Sequence, residues 1–185
     1  PYAAGTDLYH EKREFDTYSY KIIGGDIRVG KELTETLRLD SMYKLENIHV
    51  YEVSEDASRF IKEQEGKKTT SALSFALSMD TRDDFYAPAR GARHSLSFQN
   101  AGGFLGGDNY FVKVTGETSW FFPLPLNLVL NLRGKAGFIE PYGGRKAPIY
   151  EKFFVGGLYT LRGFEYGQAG PVDLNREPLG AEKMV

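Results

Sequence analysis

The sequence predicts an all-β fold, an antiparallel transmembrane β-barrel present in part. Three observations predict it. Apolar and polar residues alternate with a period of two in segment after segment, which aligns side chains on two faces of a strand and scatters them on a helix. No apolar run approaches the roughly 20 residues of a membrane helix, whereas a barrel strand hides its alternation in an average composition. Short and long connections alternate, as they do between the two ends of an outer-membrane barrel. Aromatic residues at 14% and 21 glycines point the same way, toward strands, tight turns and interfacial rings.

The first strand spans about 3–13 and carries the weakest pattern. In the second, Ile23, Ile27 and Val29 oppose Asp26 and Arg28. In the third, Leu37, Leu39, Tyr43 and Leu45 oppose Arg38, Asp40, Lys44 and Glu46. Leu73, Phe75, Leu77 and Met79 then oppose Ser74, Ala76, Ser78 and Asp80, and Leu96 and Phe98 oppose Ser95, Ser97 and Gln99. Val112, Val114, Trp120 and Phe122 oppose Lys113, Thr115, Glu117 and Ser119. The cleanest case is 126–133, with Leu126, Leu128, Leu130 and Leu132 facing away from Asn127, Val129, Asn131 and Arg133. The count is seven strands and the start of an eighth at the C-terminus. Short connections fall near 30–36, 82–91 and 123–125, and long ones near 52–69, 100–109 and 141–180.

A soluble sandwich would alternate in the same way. The two faces distinguish them. The polar face carries both signs of charge in mid-strand, as in Arg38/Asp40, Lys113/Glu117 and Arg133/Lys135, while the other is unbroken Leu, Val, Phe and Ile through strand centres. A charge on a lipid face costs about 2–4 kcal/mol at the midplane, so its absence there favours the membrane. Trp120, Phe121 and Phe122 beside Pro123, and Phe85 and Tyr86 in a short turn, are expected at the bilayer interface.

The net charge of −2 points to no nucleic acid or other polyanion. No cysteine is present, which removes disulfides and thiolate chemistry. His10, His49 and His94 lack the spacing of a triad or a metal site; Asp83-Asp84 belongs to a turn; Gly102-Gly103 and Gly106-Gly107 lack the helix and Lys-Ser/Thr of a phosphate loop. No catalytic residue, metal or cofactor is expected, and no enzyme.

Two segments stand out. In Asp80-Thr81-Arg82-Asp83-Asp84-Phe85-Tyr86-Ala87-Pro88-Ala89-Arg90-Gly91, Pro88 and Gly91 suit a turn, and the Asp/Arg grouping suits a hydrogen-bonded knot. The second, Phe153-Phe154-Val155-Gly156-Gly157-Leu158-Tyr159-Thr160-Leu161-Arg162-Gly163-Phe164-Glu165-Tyr166-Gly167, lies in the connection 141–180. It is too rich in rings and glycine for disorder. It is expected to fold back into the barrel lumen, with the Arg162 guanidinium reaching carboxylates on inner strand faces. An ordinary surface loop with a chance Arg-Gly is the competing interpretation.

Together these segments resemble the BamA family of outer-membrane barrel insertases. Leu161-Arg162-Gly163-Phe164 resembles the family's (Val/Ile/Leu)-Arg-Gly-Phe signature. Ile149-Tyr150-Glu151-Lys152-Phe153-Phe154-Val155-Gly156-Gly157 resembles its Tyr-Glu-x-Phe-x-x-Gly-Gly approach, and Asp80-Thr81-Arg82-Asp83 with Pro88 and Gly91 resembles its periplasmic turn after the eighth strand. The resemblance implies one partial barrel domain over 1–185, about seven strands of a sixteen-stranded barrel of bacterial surface-antigen type, running from the end of strand four into strand twelve. It implies a lumen-directed loop at 141–180 in which Arg162 binds acidic residues expected after Val185, Gly163 allows close backbone approach and Phe164 packs on the lumen wall. The family lies in the bacterial outer membrane behind periplasmic POTRA domains. Its partners are outer-membrane lipid, unfolded barrel clients and accessory assembly lipoproteins. The abrupt ends at Pro1 and Val185 are expected of a fragment. A TamA-like or two-partner secretion transporter of the same superfamily is the first alternative, and a passive porin or soluble barrel the second.

Overall fold

The computed structural model describes residues 1–15, 17–158, 160–174 and 176–185. Among them, eight strands form one antiparallel sheet in sequence order. They are β1 (Tyr2–Glu14), β2 (Ser19–Glu32), β3 (Leu37–Tyr51), β4 (Gly66–Asp80), β5 (Gly91–Ala101), β6 (Phe111–Leu124), β7 (Leu128–Pro141) and the two-residue β8 (Lys183–Met184). A four-residue helix, α1 (Arg59–Lys62), sits in the connection between β3 and β4, with the Ser58 hydroxyl accepting from the Ile61 amide. Nearest-neighbour pairing of long strands needs only hairpins, which is the meander of an up-and-down barrel wall.

Seven strands and the start of an eighth agree with the period-two pattern, the weak first strand included. The exception is the start of β7. Leu126 and Asn127 have φ values of +64° and +58° and belong to the turn, not to the strand. The ladder closes at Leu124↔Leu128, and a three-residue turn must reverse its backbone through the left-handed region. Apolar spacing alone does not register that reversal. The turns at 33–36, 81–90 and 125–127 lie at one end of the sheet. The connections at 52–65, 102–110 and 142–182 lie at the other, with the tight β1–β2 turn beside them.

Register aligns the apolar face across strands. Phe75, Phe98, Val114 and Phe138 form one row over β4 to β7, and Leu39, Leu77 and Leu96 begin another. Leu39 and Val114 are half-buried and the others in these rows exposed, Phe98 and Phe138 at 44% each, as is Ile27 at 61% on the same face, with no second layer over them among the described residues. A continuous uncovered apolar belt is tolerable only against lipid. Trp120 stacks with Phe122 at the turn end, centroids 6.5 Å apart. Phe121 does not join them: it pairs with Gly91 and Asn131 on the opposite, charged face. Strict alternation makes this unavoidable, because three consecutive rings cannot share one side of a strand.

The inner face carries paired charge. Arg28 engages Asp7 and Asp26, Arg38 engages Asp40, and Arg133 reaches Glu117 at 2.8 Å. Buried apolar residues gather at the loop end of this face in two groups. One is Tyr18, Tyr20, Ile48, Val50, Ala57, Ile61 and Ile149; the other is Ala72, Ala101, Phe111, Ile139, Ala147 and Phe153. Both groups mix strand residues with residues of the long connection, so the loop is folded onto the concave side of the sheet.

Candidate lumen-anchoring site

The site is built where 147–154 crosses the inner face. Ile149 is fully buried and Phe153 is 9% exposed. Between them Glu151 is carried into the same apolar layer. A carboxylate there needs partners, and two strands supply them. The Lys44 ammonium from β3 donates to Glu151 Oε1 at 2.8 Å, and the Lys113 ammonium from β6 donates to Oε2 at 3.1 Å and to the Glu151 carbonyl at 2.6 Å. Lys44 also holds Glu46 Oε2 at 2.8 Å, and the Tyr9 hydroxyl donates to Glu46 Oε1 at 2.6 Å. Two ammonium groups and two carboxylates therefore neutralise one another across β3, β6 and the loop, with the Tyr9 hydroxyl of β1 at their edge. The Lys113 ammonium also lies 5.2 Å from the centre of the Phe153 ring.

Neighbouring residues complete the clamp. The buried Asn109 amide donates to Thr70 Oγ1 at 2.7 Å and to the Tyr150 hydroxyl at 2.6 Å. Burial pushes the Tyr150 hydroxyl well above the ordinary tyrosine range. Gly137 on β7 leaves the space in which the Phe153 ring lies: a Cβ there would stand 2.7 Å from Phe153 Cζ. Farther along, Glu177 accepts from the Thr17 amide at 3.1 Å, fastening the end of the loop to the β1–β2 turn.

Burial by itself would raise the Glu151 carboxyl, but the Lys44 and Lys113 charges and their hydrogen bonds outweigh it and hold it below the ordinary glutamate range. A carboxyl depressed in the folded state contributes its full stability above its unfolded value, about pH 4.3, and loses it as pH falls through the folded value. Loop protection against protease in the wild type is accordingly expected to hold from neutral pH down to that point and to decline below it. In Glu151→Gln this acid-dependent component should be missing.

None of the four signature residues belongs to the two buried groups of the inner face. Leu161, Arg162, Gly163 and Phe164 are exposed, Phe164 at 51%. Among the described residues Arg162 has no ion-pair partner, and a Cβ on Gly163 would meet nothing within 4 Å. Within this chain what calls for glycine there is its φ of +91°. Within this chain Phe164 does not pack on the barrel wall; its carbonyl instead accepts from the Gly157 amide at 2.8 Å in a local hairpin. Gly156 does face close approach: with φ +129°, its Cβ would lie 2.1 Å from the Glu165 carbonyl oxygen. Tyr159 lies outside the described residues.

In the turn after β4, Asp80 and Arg82 pair at 2.6 Å, and the Arg82 guanidinium lies over the Phe85 ring and donates to its carbonyl. Asp83 Oδ1 accepts from the Ala89 and Arg90 amides, which directly follow Pro88. These backbone hydrogen bonds, that from Arg90 foremost, hold the Asp83 carboxyl below the ordinary aspartate range. Gly91, at φ +97°, passes so close to Thr81 that a Cβ would sit 2.2 Å from its carbonyl oxygen. Phe85 and Tyr86 are exposed and edge-to-face.

The sequence reasoning missed Lys44, Lys113, Asn109 and Gly137 as site residues. A usable signal was present: a single Glu amid Ala147-Pro148-Ile149-Tyr150 and Phe153-Phe154 demands a cation once the segment is buried.

An open wall of long meandering strands, an uncovered apolar belt and a charged concave face that seats a long loop define an outer-membrane β-barrel. The family model described as "Omp85 superfamily domain" matches residues 1–185. The chain belongs to the Omp85 superfamily. It is 29% identical over 98% of its length to the outer membrane protein assembly factor BamA of Nitratidesulfovibrio vulgaris, of which it covers 23%. It is 32% identical over 64% of its length to the sorting and assembly machinery component 50 homolog of Mus musculus, covering 25% of that protein. Its fold matches the crystal structure of BamA from Haemophilus ducreyi lacking POTRA domains 1–3, with a TM-score of 0.84 and 18% identity over 98% of this chain and 40% of that one. The chain thus spans about a quarter of the length of the curated relatives.

Proposed function

We propose that this chain forms part of the barrel wall, with its lumen-seated loop, of a factor that folds and inserts β-barrel proteins into the bacterial outer membrane. The names of the relatives support that activity. The observation that carries the local role is the buried Glu151 clamped by Lys44 of β3 and Lys113 of β6. It fixes the root of the loop and presents the tip, Arg162 included, toward carboxylates elsewhere in the barrel. Leu161, Gly163 and Phe164 shape that tip, with Gly156 and Gly157 closing the hairpin behind it. The turn at Asp80, Arg82, Asp83, Pro88 and Gly91 stiffens the periplasmic edge, and Trp120, Phe122, Phe85 and Tyr86 sit at the bilayer interface. The segment acts as scaffold, not as an enzyme. Its partners are unfolded barrel clients, accessory assembly lipoproteins and outer-membrane lipid.

Arg162→Ala in the intact protein tests the role of the tip. Client-barrel assembly in reconstituted membranes is expected to fall while the root of the loop stays protected from protease. Normal assembly with an equally resistant tip would remove Arg162 from the mechanism.

A further inference from the structure

The outward face carries a feature that the assembly reading does not use. The pairing register makes Lys12 of β1, Lys21 of β2, His49 of β3 and Lys67 of β4 consecutive cross-strand neighbours. Alternation sets all four on the lipid-facing side, at the end bearing the long connections. The next row toward the sheet centre is His10, Ile23, Asn47 and Thr69, and the one after it is Leu8, Gly25, Leu45 and Ser71. The face therefore changes from apolar to mixed to basic over three rows. At about 4.8 Å between strands, the basic row is about 14 Å long.

The charges in this row are largely unspent. Lys12 is paired with Glu14, one position beyond it on the same face. Among the described residues Lys21 and Lys67 have no ion pair. The Lys21 ammonium lies 5.9 Å from the centre of the Tyr51 ring, which also packs on the His49 ring at 5.2 Å. The Nδ1 atom of His49 is buried without a hydrogen-bond partner among those residues. Tyr51 thus braces the middle of the row. The opposite end of the same face holds Leu37, Met79, Trp120 and Phe122, with Lys31 its basic member on β2 beside Tyr2.

An ordered cationic row at the end of an apolar belt lies where the headgroups of the leaflet begin, and cations there are attracted to anionic lipid. We propose that Lys21, His49 and Lys67, with Lys12 at their edge, form a binding site for the phosphate headgroups of anionic lipids in the leaflet on the long-loop side. The site rests on the membrane orientation of the barrel and not on the assembly activity. Tyr51 and the strand ladder hold the cations at fixed spacing, so the site favours headgroups with an exposed phosphate over zwitterionic ones.

The test is native mass spectrometry of the intact parent protein in detergent micelles doped with phosphatidic acid or with phosphatidylcholine of the same chains. The wild type is expected to retain phosphatidic acid preferentially. Lys21→Gln/Lys67→Gln should lower that preference about tenfold, whereas Lys21→Arg/Lys67→Arg and Lys31→Gln should preserve it. Equal retention of the two lipids by the wild type, or an unchanged preference in the double Gln variant, overturns the site. So does displacement of the lipid by inorganic phosphate, which would make it a free-anion site. Should the double Gln variant misfold, a salt titration of the wild type decides: a preference that persists at high ionic strength overturns the proposal. The assay reads lipid and not client assembly, so either reading can fail while the other stands.

Discussion

Glu151→Met is expected to be the most destabilising single substitution in the loop, costing about 3–5 kcal/mol. It leaves the half-buried Lys113 against the Phe153 ring without a counter-ion and halves the negative charge facing Lys44. The loss should appear as a lower melting temperature of the folded barrel and as earlier protease cleavage within 142–182. The decisive comparison is the double variant Glu151→Met/Lys113→Met. Removing one charge of each sign leaves Lys44 paired with Glu46, so the cluster stays neutral and neither remaining charge is left without a partner. The double variant should therefore recover much of the stability lost in the single one. If both lose equally, the clamp acts through the shape of the glutamate side chain and not through its charge.

Gly137→Val carries the second large expected effect, about 1–3 kcal/mol from overpacking. Valine suits a strand, so backbone propensity predicts a gain. The Phe153 ring predicts a loss, since a Cβ would stand 2.7 Å from Cζ and 3.0 Å from the Val114 carbonyl oxygen. The ring would be driven from its group with Ala72, Ala101, Phe111, Ile139 and Ala147. Gly116→Val is the control: it lies on the outward face of the neighbouring strand with nothing within 4 Å of its Cβ position. Melting the two variants side by side separates the ideas. Equal tolerance at both positions would mean that the loop is not seated on β7.

Much of the architecture was legible because a strand in a membrane wall is constrained locally. Each residue must face lipid or lumen, and that choice is written into alternating residues such as Leu73, Phe75, Leu77 and Met79 against Ser74, Ala76 and Ser78. That the long connection packs back on the sheet was also legible, from its rings and glycines, and Ala147, Ile149 and Phe153 lie in the buried groups of the inner face. The seating group was not. Arg162 drew attention because it sits in a motif, yet within this chain the loop is held by Glu151, a residue of the approach. Its lysine partners lie 107 and 38 residues away in sequence. Phe121 likewise shows that composition near a strand end is a weaker guide than its pleat.

By itself the sequence determined the strand count, the two faces of the sheet and the alternation of turn and loop, because these depend on neighbours within a few residues. Only the tertiary structure decided which charge anchors the loop. That depends on the register that brings Lys44 and Lys113 to one point on the concave face, and on burial that makes an unpaired carboxylate there too costly to leave. The Leu161-Arg162-Gly163-Phe164 tip follows the same division: its glycine records a local backbone need at φ +91°, and its partners are a matter of what the folded barrel brings to it.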